Sequence, residues 1–506
     1  MTAIDRSSPV SVVGTGTMGQ GIAQVALVAG HPVRLYDTVP GRAKTAADAI
    51  TARLDRLVEK GRLSATDRDA ATARLGAAES LAELAGSGLV IEAILEQLDV
   101  KQRLFSELEG IVSDDCLLAT NTSSLSVTAI GGALRVPGRF VGLHFFNPAP
   151  LLPLVEVISG FATDESAATR AQATAKAWGK TPVRCADTPG FIVNRIARPF
   201  YAEALRVYEE RAADPATIDA VLRECGGFRM GPFELTDLIG QDVNEAVTRS
   251  VWESFFQDPK FTPSLAQRRL VESGRLGRKS GRGWYAYADG AERPEPSTEP
   301  ACDAPDTVAI QGDLGPAEPL RAMLTEAGIT VLDHESDQPD DFIALPHGAA
   351  LILTDGTVAT GHPVGQYIHF DLALDYRTCT RIALAPGADV DPRDLRAAIG
   401  LFQRLGKRVS VIGDVPGMIV ARTVAMLVDF AADAVSRGVA SAEDIDTAMR
   451  LGVNYPRGPW EWSEELGPDW ARNLLLAMEF IHPGGRYGAS LALQRQANLH
   501  EKRSRP

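Results

Sequence analysis

At 506 residues the chain is longer than one hydrophobic core ordinarily serves, so two or more domains are expected. Its 45% apolar and 23% charged residues are those of an ordinary globular protein, and a net charge of -14 without a basic stripe excludes nucleic acid or an anionic membrane as the main partner. The five cysteines have no zinc or disulfide spacing, no stretch approaches the ~20 apolar residues of a membrane span, and the N-terminal "MTAIDRSSPVSVVG" has no apolar signal core. Reduced thiols, no metal site and a cytoplasmic location are the expectations.

Residues 9–13 are a β-branched run that predicts a strand. Gly14-x-Gly16-x-x-Gly19 follows at once, a helical pattern runs from Met18 to Ala29, Gly30 closes it, and a second strand from Pro32 to Tyr36 ends at Asp37. Strand, glycines, helix, strand and terminal acid in that order are the pattern of a dinucleotide-binding unit. Gly14 permits the tight turn, Gly16 lets a pyrophosphate approach the backbone, and Gly19 brings helix and strand close. Thr17 and Met18 open a helix whose unpaired N–H groups and dipole favour the anion. Asp37 can accept both ribose hydroxyls and would repel a 2′-phosphate, so the expected cofactor is NAD rather than NADP.

"GLVIEAILE" (88–96), "CLLATNTSSL" (116–125), "FVGLHFF" (140–146) and "LVEVISG" (154–160) read as further buried strands, with a helix over 98–112. The alternation predicts a doubly wound sheet, with ligands beyond the carboxyl ends of its strands, where Glu96, Asn121 to Ser124, His144 and Glu156 fall. A lone histidine on an apolar stretch is more often structural than catalytic, and each polar residue at such an end could be a cap. Beside a nicotinamide, however, a histidine is suited to take a hydroxyl proton while hydride leaves the same carbon, and a carboxylate at its second nitrogen orients it. His144 and Glu156, separated by the turn "NPAPLLP", suit that pairing, and nearby serine or asparagine groups can hold the substrate oxygen.

"DTPGFIVNRIARPFYAEALRVYEER" predicts a helix capped by Asp187 or Thr188, with Pro189 in its first turn and Asn194 soon after. "PATIDAVLREC" and "PFELTDLIGQDVNEAVTRSVWESFF" continue an all-α domain. It ends in "GRLGRKSGRGWYAY", where Arg275, Arg278, Lys279 and Arg282 form either a phosphate contact or a solvated loop. The Pro- and acid-rich 292–306 reads as a linker.

Beyond it the chain repeats itself. Residues 141–242 lie over 368–469 at a constant offset of 227 without a gap, pairing Lys180 with Lys407, Asp187 with Asp414, Gly190 with Gly417, Asp219 with Asp446 and Gly240 with Gly467. Under the same shift His144 falls on Asp371, Glu156 on Ala383 and Asn194 on Ala421. Residues 307–333 read as strand, helix and strand ending in Asp333, but "QGDLG" lacks the glycine spacing. The expected fold is an α/β Rossmann-type doubly wound sheet followed by an all-α domain, then a degenerate, shortened Rossmann-like segment and a second all-α domain. The expected boundaries are 1–187, 188–290, a linker at 291–306, 307–410 and 411–506.

Through "GTGTMGQGIA", "LVIEAILE", "NTSSL", "GLHFFNPAPLLPLVEVI", "DTPGFIVNR" and "GPFELTDLIGQD" the chain resembles the 3-hydroxyacyl-CoA dehydrogenases over residues 9 to about 287. The resemblance implies His144 as acid/base, Glu156 as its orienting partner, and Ser123 and Asn194 around the substrate's 3-oxygen. It adds Asp37, Glu96, Lys101 and Asn121 to the cofactor site and an acyl-CoA as substrate. Long members of the family resemble dehydrogenases of phenylacetate catabolism acting on 3-hydroxyadipyl-CoA, and also 3-hydroxybutyryl-CoA dehydrogenases. Single-copy members pair through their helical domains, which implies either a monomer with an internal pseudo-dimer of helical domains or a homodimer. The alternatives are a dehydrogenase for a non-CoA hydroxy acid of the gulonate type and a non-catalytic dinucleotide-binding protein, as among relatives recruited as lens crystallins.

Overall fold

The computed structural model describes residues 2–333 and 341–504. Two compact units partition the chain: Met1–Arg195 with Ala434–Val453, and Ile196–Asp433 with Asn454–Pro506.

In the first unit, β1 (Val10–Val13), β2 (Val33–Tyr36), β3 (Leu75–Ala77), β4 (Leu89–Glu92), β5 (Leu117–Thr120), β6 (Phe140–Phe145), β7 (Leu154–Ser159) and β8 (Thr181–Ala186) form one sheet in the order β3-β2-β1-β4-β5-β6-β7-β8. Neighbours are parallel except β6 and β7. Residues of β1, β4 and β5 are buried throughout, as expected of parallel strands covered on both faces. Ile22 and Leu27 from the helix Thr17–Val28, and Ile50 and Leu54 from the helix Arg42–Glu59, join Val12, Leu35, Ile91 and Val141 in one core. The order reverses between β1 and β4, the crevice where an open α/β sheet takes its ligand.

The antiparallel turn changes one expectation. Glu156 lies near the beginning of β7, not at a carboxyl end; it reaches the His144 rim because β7 runs back along β6. The outer side of β8 is occupied by the repeat's far end, with Ala186 N–H donating to Val439 O at 2.8 Å and Arg184 N–H to Asp444 Oδ2 at 3.1 Å.

The second unit holds β9 (Thr307–Gln311), β10 (Thr330–Asp333), β11 (Phe342–Ala344), β12 (Ala349–Leu353), β13 (Gln366–Phe370), β14 (Arg381–Pro386) and β15 (Arg408–Val411), ordered β10-β9-β11-β12-β13-β14-β15. Its strands β12 to β15 repeat the parallel, antiparallel, parallel sequence of β5 to β8. β11 runs antiparallel to both its neighbours, an arrangement the sequence did not suggest. The offset of 227 reappears in the elements: β7 and the helices Glu165–Ala177, Pro232–Ile239 and Gln241–Ser254 map onto β14 and the helices Pro392–Arg404, Pro459–Leu466 and Pro468–Ile481. It reappears in the backbone as well. Gly190 and Phe191 take φ of 77° and 51°, and Gly417 and Met418 take 65° and 49°.

Segments of both helical repeats meet in this unit. Glu203, fully buried, accepts from Tyr487 Oη at 2.9 Å and pairs with Arg486 at 2.5 Å, while Arg422 pairs with Glu210 at 2.9 Å. Phe228 stands edge-on to Tyr455, its own equivalent under the offset, with centroids 5.1 Å apart. Gly413 N–H donates to Ala212 O at 2.8 Å, the counterpart of the Ala186 to Val439 bond. The stretch read as a linker is fastened: Ser297 N–H donates to Thr217 Oγ1 at 2.8 Å, Arg381 to Ser297 O at 3.2 Å, and Glu299 N–H to Val409 O at 2.8 Å. All five cysteines are unpaired, and among the described residues no helix is long and apolar enough to cross a membrane.

Candidate active site

The glycine turn has the space its sequence implied. Gly14 has φ +96°, and a Cβ on it would lie 2.5 Å from Ala93 O, just past the end of β4; a Cβ on Gly19 would lie 1.8 Å from Gly14 O. A Cβ on Gly16 would meet nothing within 4 Å, which leaves open the place a pyrophosphate would occupy. No side chain caps the helix there, so the first amides, those of Thr17 and Met18 among them, have no capping partner. Asp37 is set by Thr15, which donates from its amide at 3.0 Å and its hydroxyl at 2.6 Å, and by Val39 N–H at 3.1 Å. Burial opposes the charge on Asp37, but these donors outweigh it and hold the carboxyl below its usual range.

Glu96 closes the next corner. Its Oε1 accepts from Thr122 Oγ1 at 2.6 Å, from the Ser123 and Ser124 amides at 3.0 and 3.1 Å, and from Ser124 Oγ at 3.0 Å. Lys101, almost fully buried, lies 3.1 Å from Glu96 and 2.6 Å from Glu92. Glu92, with no exposed surface, also accepts from Thr120 Oγ1 at 2.7 Å. Lys101 therefore acts as a buried post for Glu92 and Glu96, and Glu92, the partner the sequence reading overlooked, ties the ends of β4 and β5 through Thr120. Its signal was an acid inside the apolar run "LVIEA". Asn121 is likewise committed, its Oδ1 accepting Phe145 N–H at 2.9 Å beside His144.

His144 and Glu156 are direct cross-strand partners, with Nδ1 2.6 Å from Glu156 Oε2. The other carboxylate oxygen accepts the Ile192 and Val193 amides at 3.0 and 2.9 Å, where the helix Val193–Ile196 begins. A carboxylate so placed accepts from the ring, so in the neutral tautomer Nδ1 carries the proton and Nε2 the lone pair. Among the described residues Nε2 makes no hydrogen bond, and it is not among the fully buried atoms that lack a partner. Phe146 and Phe191 flank the ring at 4.5 and 5.8 Å. The turn between the strands is fastened by Lys180, whose Nζ donates to Ala149 O at 2.6 Å and Leu152 O at 2.8 Å.

Asn194 is half-buried on the short helix that Glu156 starts, and Ser123 is exposed on the Glu96-bound loop; neither side chain has a hydrogen-bond partner among the described residues. The expected cap at Asp187 is corrected. Asp187 accepts from Ser126 Oγ at 2.6 Å and Thr128 N–H at 2.7 Å, Thr188 receives Arg195, and Glu156 does the capping. The basic loop is partly self-neutralised, Lys279 on Asp242 at 2.6 Å and Arg278 towards Glu234 at 3.8 Å. Arg275 instead lines a cavity of about 960 Å³ with Arg211, Arg269 and Trp284 in the second unit.

The profile of the NAD-binding domain of 3-hydroxyacyl-CoA dehydrogenases matches residues 9–188, and that of their C-terminal domain matches twice, at 190–287 and 417–504. The chain belongs to the 3-hydroxyacyl-CoA dehydrogenase family. Residues 351–416 match the reduced Rossmann-fold domain described for 3-hydroxybutyryl-CoA dehydrogenase. A 3-hydroxyadipyl-CoA dehydrogenase of Escherichia coli is 43% identical over 97% of each chain. A 3-hydroxybutyryl-CoA dehydrogenase of Mycobacterium tuberculosis is 39% identical over 56% of this chain and 99% of its own. The crystal structure of a 3-hydroxybutyryl-CoA dehydrogenase from Escherichia coli superposes with a TM-score of 0.89 at 41% identity, covering 99% of this chain and 100% of that one. This 3-hydroxyacyl-CoA dehydrogenase is thus an NAD-dependent oxidoreductase, with an open glycine turn suited to the cofactor.

Proposed function

We propose that the chain reversibly oxidises an (S)-3-hydroxyacyl-CoA to the 3-ketoacyl-CoA, with 3-hydroxyadipyl-CoA or 3-hydroxybutyryl-CoA as substrate. The observation that carries this reading is the His144–Glu156 pair, 2.6 Å apart, with Nε2 making no hydrogen bond among the described residues. Bound NAD supplies the hydride acceptor. His144 Nε2 takes the proton of the 3-hydroxyl, and Glu156 stabilises the imidazolium across the 2.6 Å contact. The unpartnered Ser123 hydroxyl and Asn194 carboxamide hold the 3-oxygen. The first amides of the helix at Thr17, together with Asp37, would hold the cofactor's pyrophosphate and ribose, and Glu96, Lys101 and Asn121 would complete its site.

We assign the organisation 1–187, 188–290, 291–306, 307–410 and 411–506, with the last two parts a reduced sheet and a second helical domain. We place the protein in the cytoplasm as a monomer whose second helical domain takes a partner subunit's place. The reciprocal bonds of Ala186 with Val439 and Ala212 with Gly413 support that arrangement.

The test is NADH oxidation with acetoacetyl-CoA, 3-ketoadipyl-CoA and free keto acids. Turnover of the thioesters alone is expected. Absence of turnover with either thioester overturns the assignment, and preference for a free acid points to the non-CoA alternative.

A further inference from the structure

The second sheet carries a side-chain cluster with no counterpart in the first. His369 on β13 has no exposed surface, and its Nε2 lies 3.0 Å from Nε2 of His362. Asp355 completes the group: one potential ligand atom from each of the three lies within 4.8 Å of the other two. The frame around them is fixed. The His362 ring stacks on Tyr367 at 3.9 Å and 13°, and Asp355 Oδ1 accepts the Thr357 amide and hydroxyl at 2.8 and 2.6 Å. The loop bearing both residues is tied down by Asp414, which accepts the Ala359 and Thr360 amides at 2.7 and 2.8 Å.

At that separation at least one of the two facing nitrogens presents a lone pair, a carboxylate stands beside them, and Thr357 Oγ1 lies 3.3 Å from His362 Nε2. Two imidazole nitrogens and one carboxylate oxygen, with the exposed Asp355 side open to water, are the donor set of a divalent transition metal. We propose that Asp355, His362 and His369 bind such a cation, zinc or a close neighbour such as cobalt or nickel, as a clip between the 355–365 loop and β13. The site is peculiar to the reduced copy. His369 pairs with Ala385 as Gly142 pairs with Ile158 in the first sheet. A Cβ on Gly142 would sit 2.8 Å from Ile158; alanine at the partner position makes the room that the imidazole fills. His369 Nδ1 is buried without a partner, whereas metal-bound histidines usually donate that N–H. The missing bond should weaken the affinity about 10–100-fold relative to a site whose histidine makes it.

Tag-free, full-length protein stripped with a chelator should take up one equivalent of Zn²⁺ by calorimetry and develop ligand-field absorption with Co²⁺. Its melting temperature should rise by about 3–5 °C at saturating Zn²⁺. His362→Gln and Asp355→Asn, at positions that are not fully buried, should each weaken binding at least about tenfold with NADH formation unchanged, while His144→Gln keeps the equivalent. Absence of stoichiometric binding in the wild-type protein, or unchanged affinity in both variants, overturns the proposal and leaves the N–H···N contact and the Thr357 hydroxyl as the account of the pair.

Discussion

Three donors converge on Glu156: the His144 ring and the amides of Ile192 and Val193. One buried acid thus orients the base and starts the helix that carries Asn194, so the two substitutions should differ. His144→Gln should lower kcat by about 10²–10⁴-fold with NAD affinity intact, read by steady-state kinetics and cofactor titration. Glu156→Gln should lower kcat and also the melting temperature, because a buried amide replaces a carboxylate under two backbone donors. Asp37 gives a prediction in pH. Its carboxyl is held below the usual range, so it stays ionised as pH falls, and NAD affinity should be flat from about pH 8 to about pH 5. Asp37→Asn should weaken NAD at every pH in that window, measured by fluorescence titration. His144 and Asp37 were legible because each stands at the end of a strand beside a glycine or proline turn, and Glu156 because it is the one acid in the apolar run that follows the NPAPLLP turn. Lys180 and Glu92 were not, since their partners are backbone oxygens and a lysine fixed only by the finished fold.

In the repeat, the element that Glu156 supports has survived its loss. Ala383 stands where Glu156 would be, yet the amides of Ile419, Val420 and Ala421 are still accepted, now by Asp371 from the histidine's own position, at 2.8–3.0 Å. The paired loss of His144 and Glu156 in the second copy is therefore a loss of the acid/base and a relocation of the cap. The left-handed turn persists with it, at Met418 as at Phe191, which assigns that strained residue to the strand-to-helix turn rather than to chemistry. Asp371→Ala should cost about 2–4 kcal/mol by leaving buried amides unpaired, seen in urea unfolding of the second unit. Lys407, whose Nζ donates to Cys379 O at 2.6 Å and Arg377 O at 3.2 Å, repeats the fastening made by Lys180. The constant offset in sequence was thus a true record of matched elements. β3 and β11, three residues each, escaped the reading because runs that short have no periodicity to detect; their pairing depends on neighbours brought in by the fold.

Over the whole chain, the buried charges of the second unit set the cost of separating its halves. Glu203 meets Arg486 and Tyr487 from residues more than 280 positions away. Arg486→Met should destabilise by about 3–5 kcal/mol, because it strands a buried carboxylate, and the melt should report it directly. A chain cut after residue 290 should fail to remain a stable, fully active monomer, by light scattering and assay, because Glu203, Phe200 and Phe228 lose their covering groups. The Glu203 contact also has a consequence for the way the molecule changes over time. In a symmetric pair of identical chains every substitution arrives twice, and a new acid must face its own reflection. Under the offset of 227, Glu203 corresponds to Phe430 and Arg486 to Pro259, so the charged contact exists on one side only. Each side of this contact can therefore change without the other, and residues 190–287 alone carry Glu203 without an Arg486 to meet it.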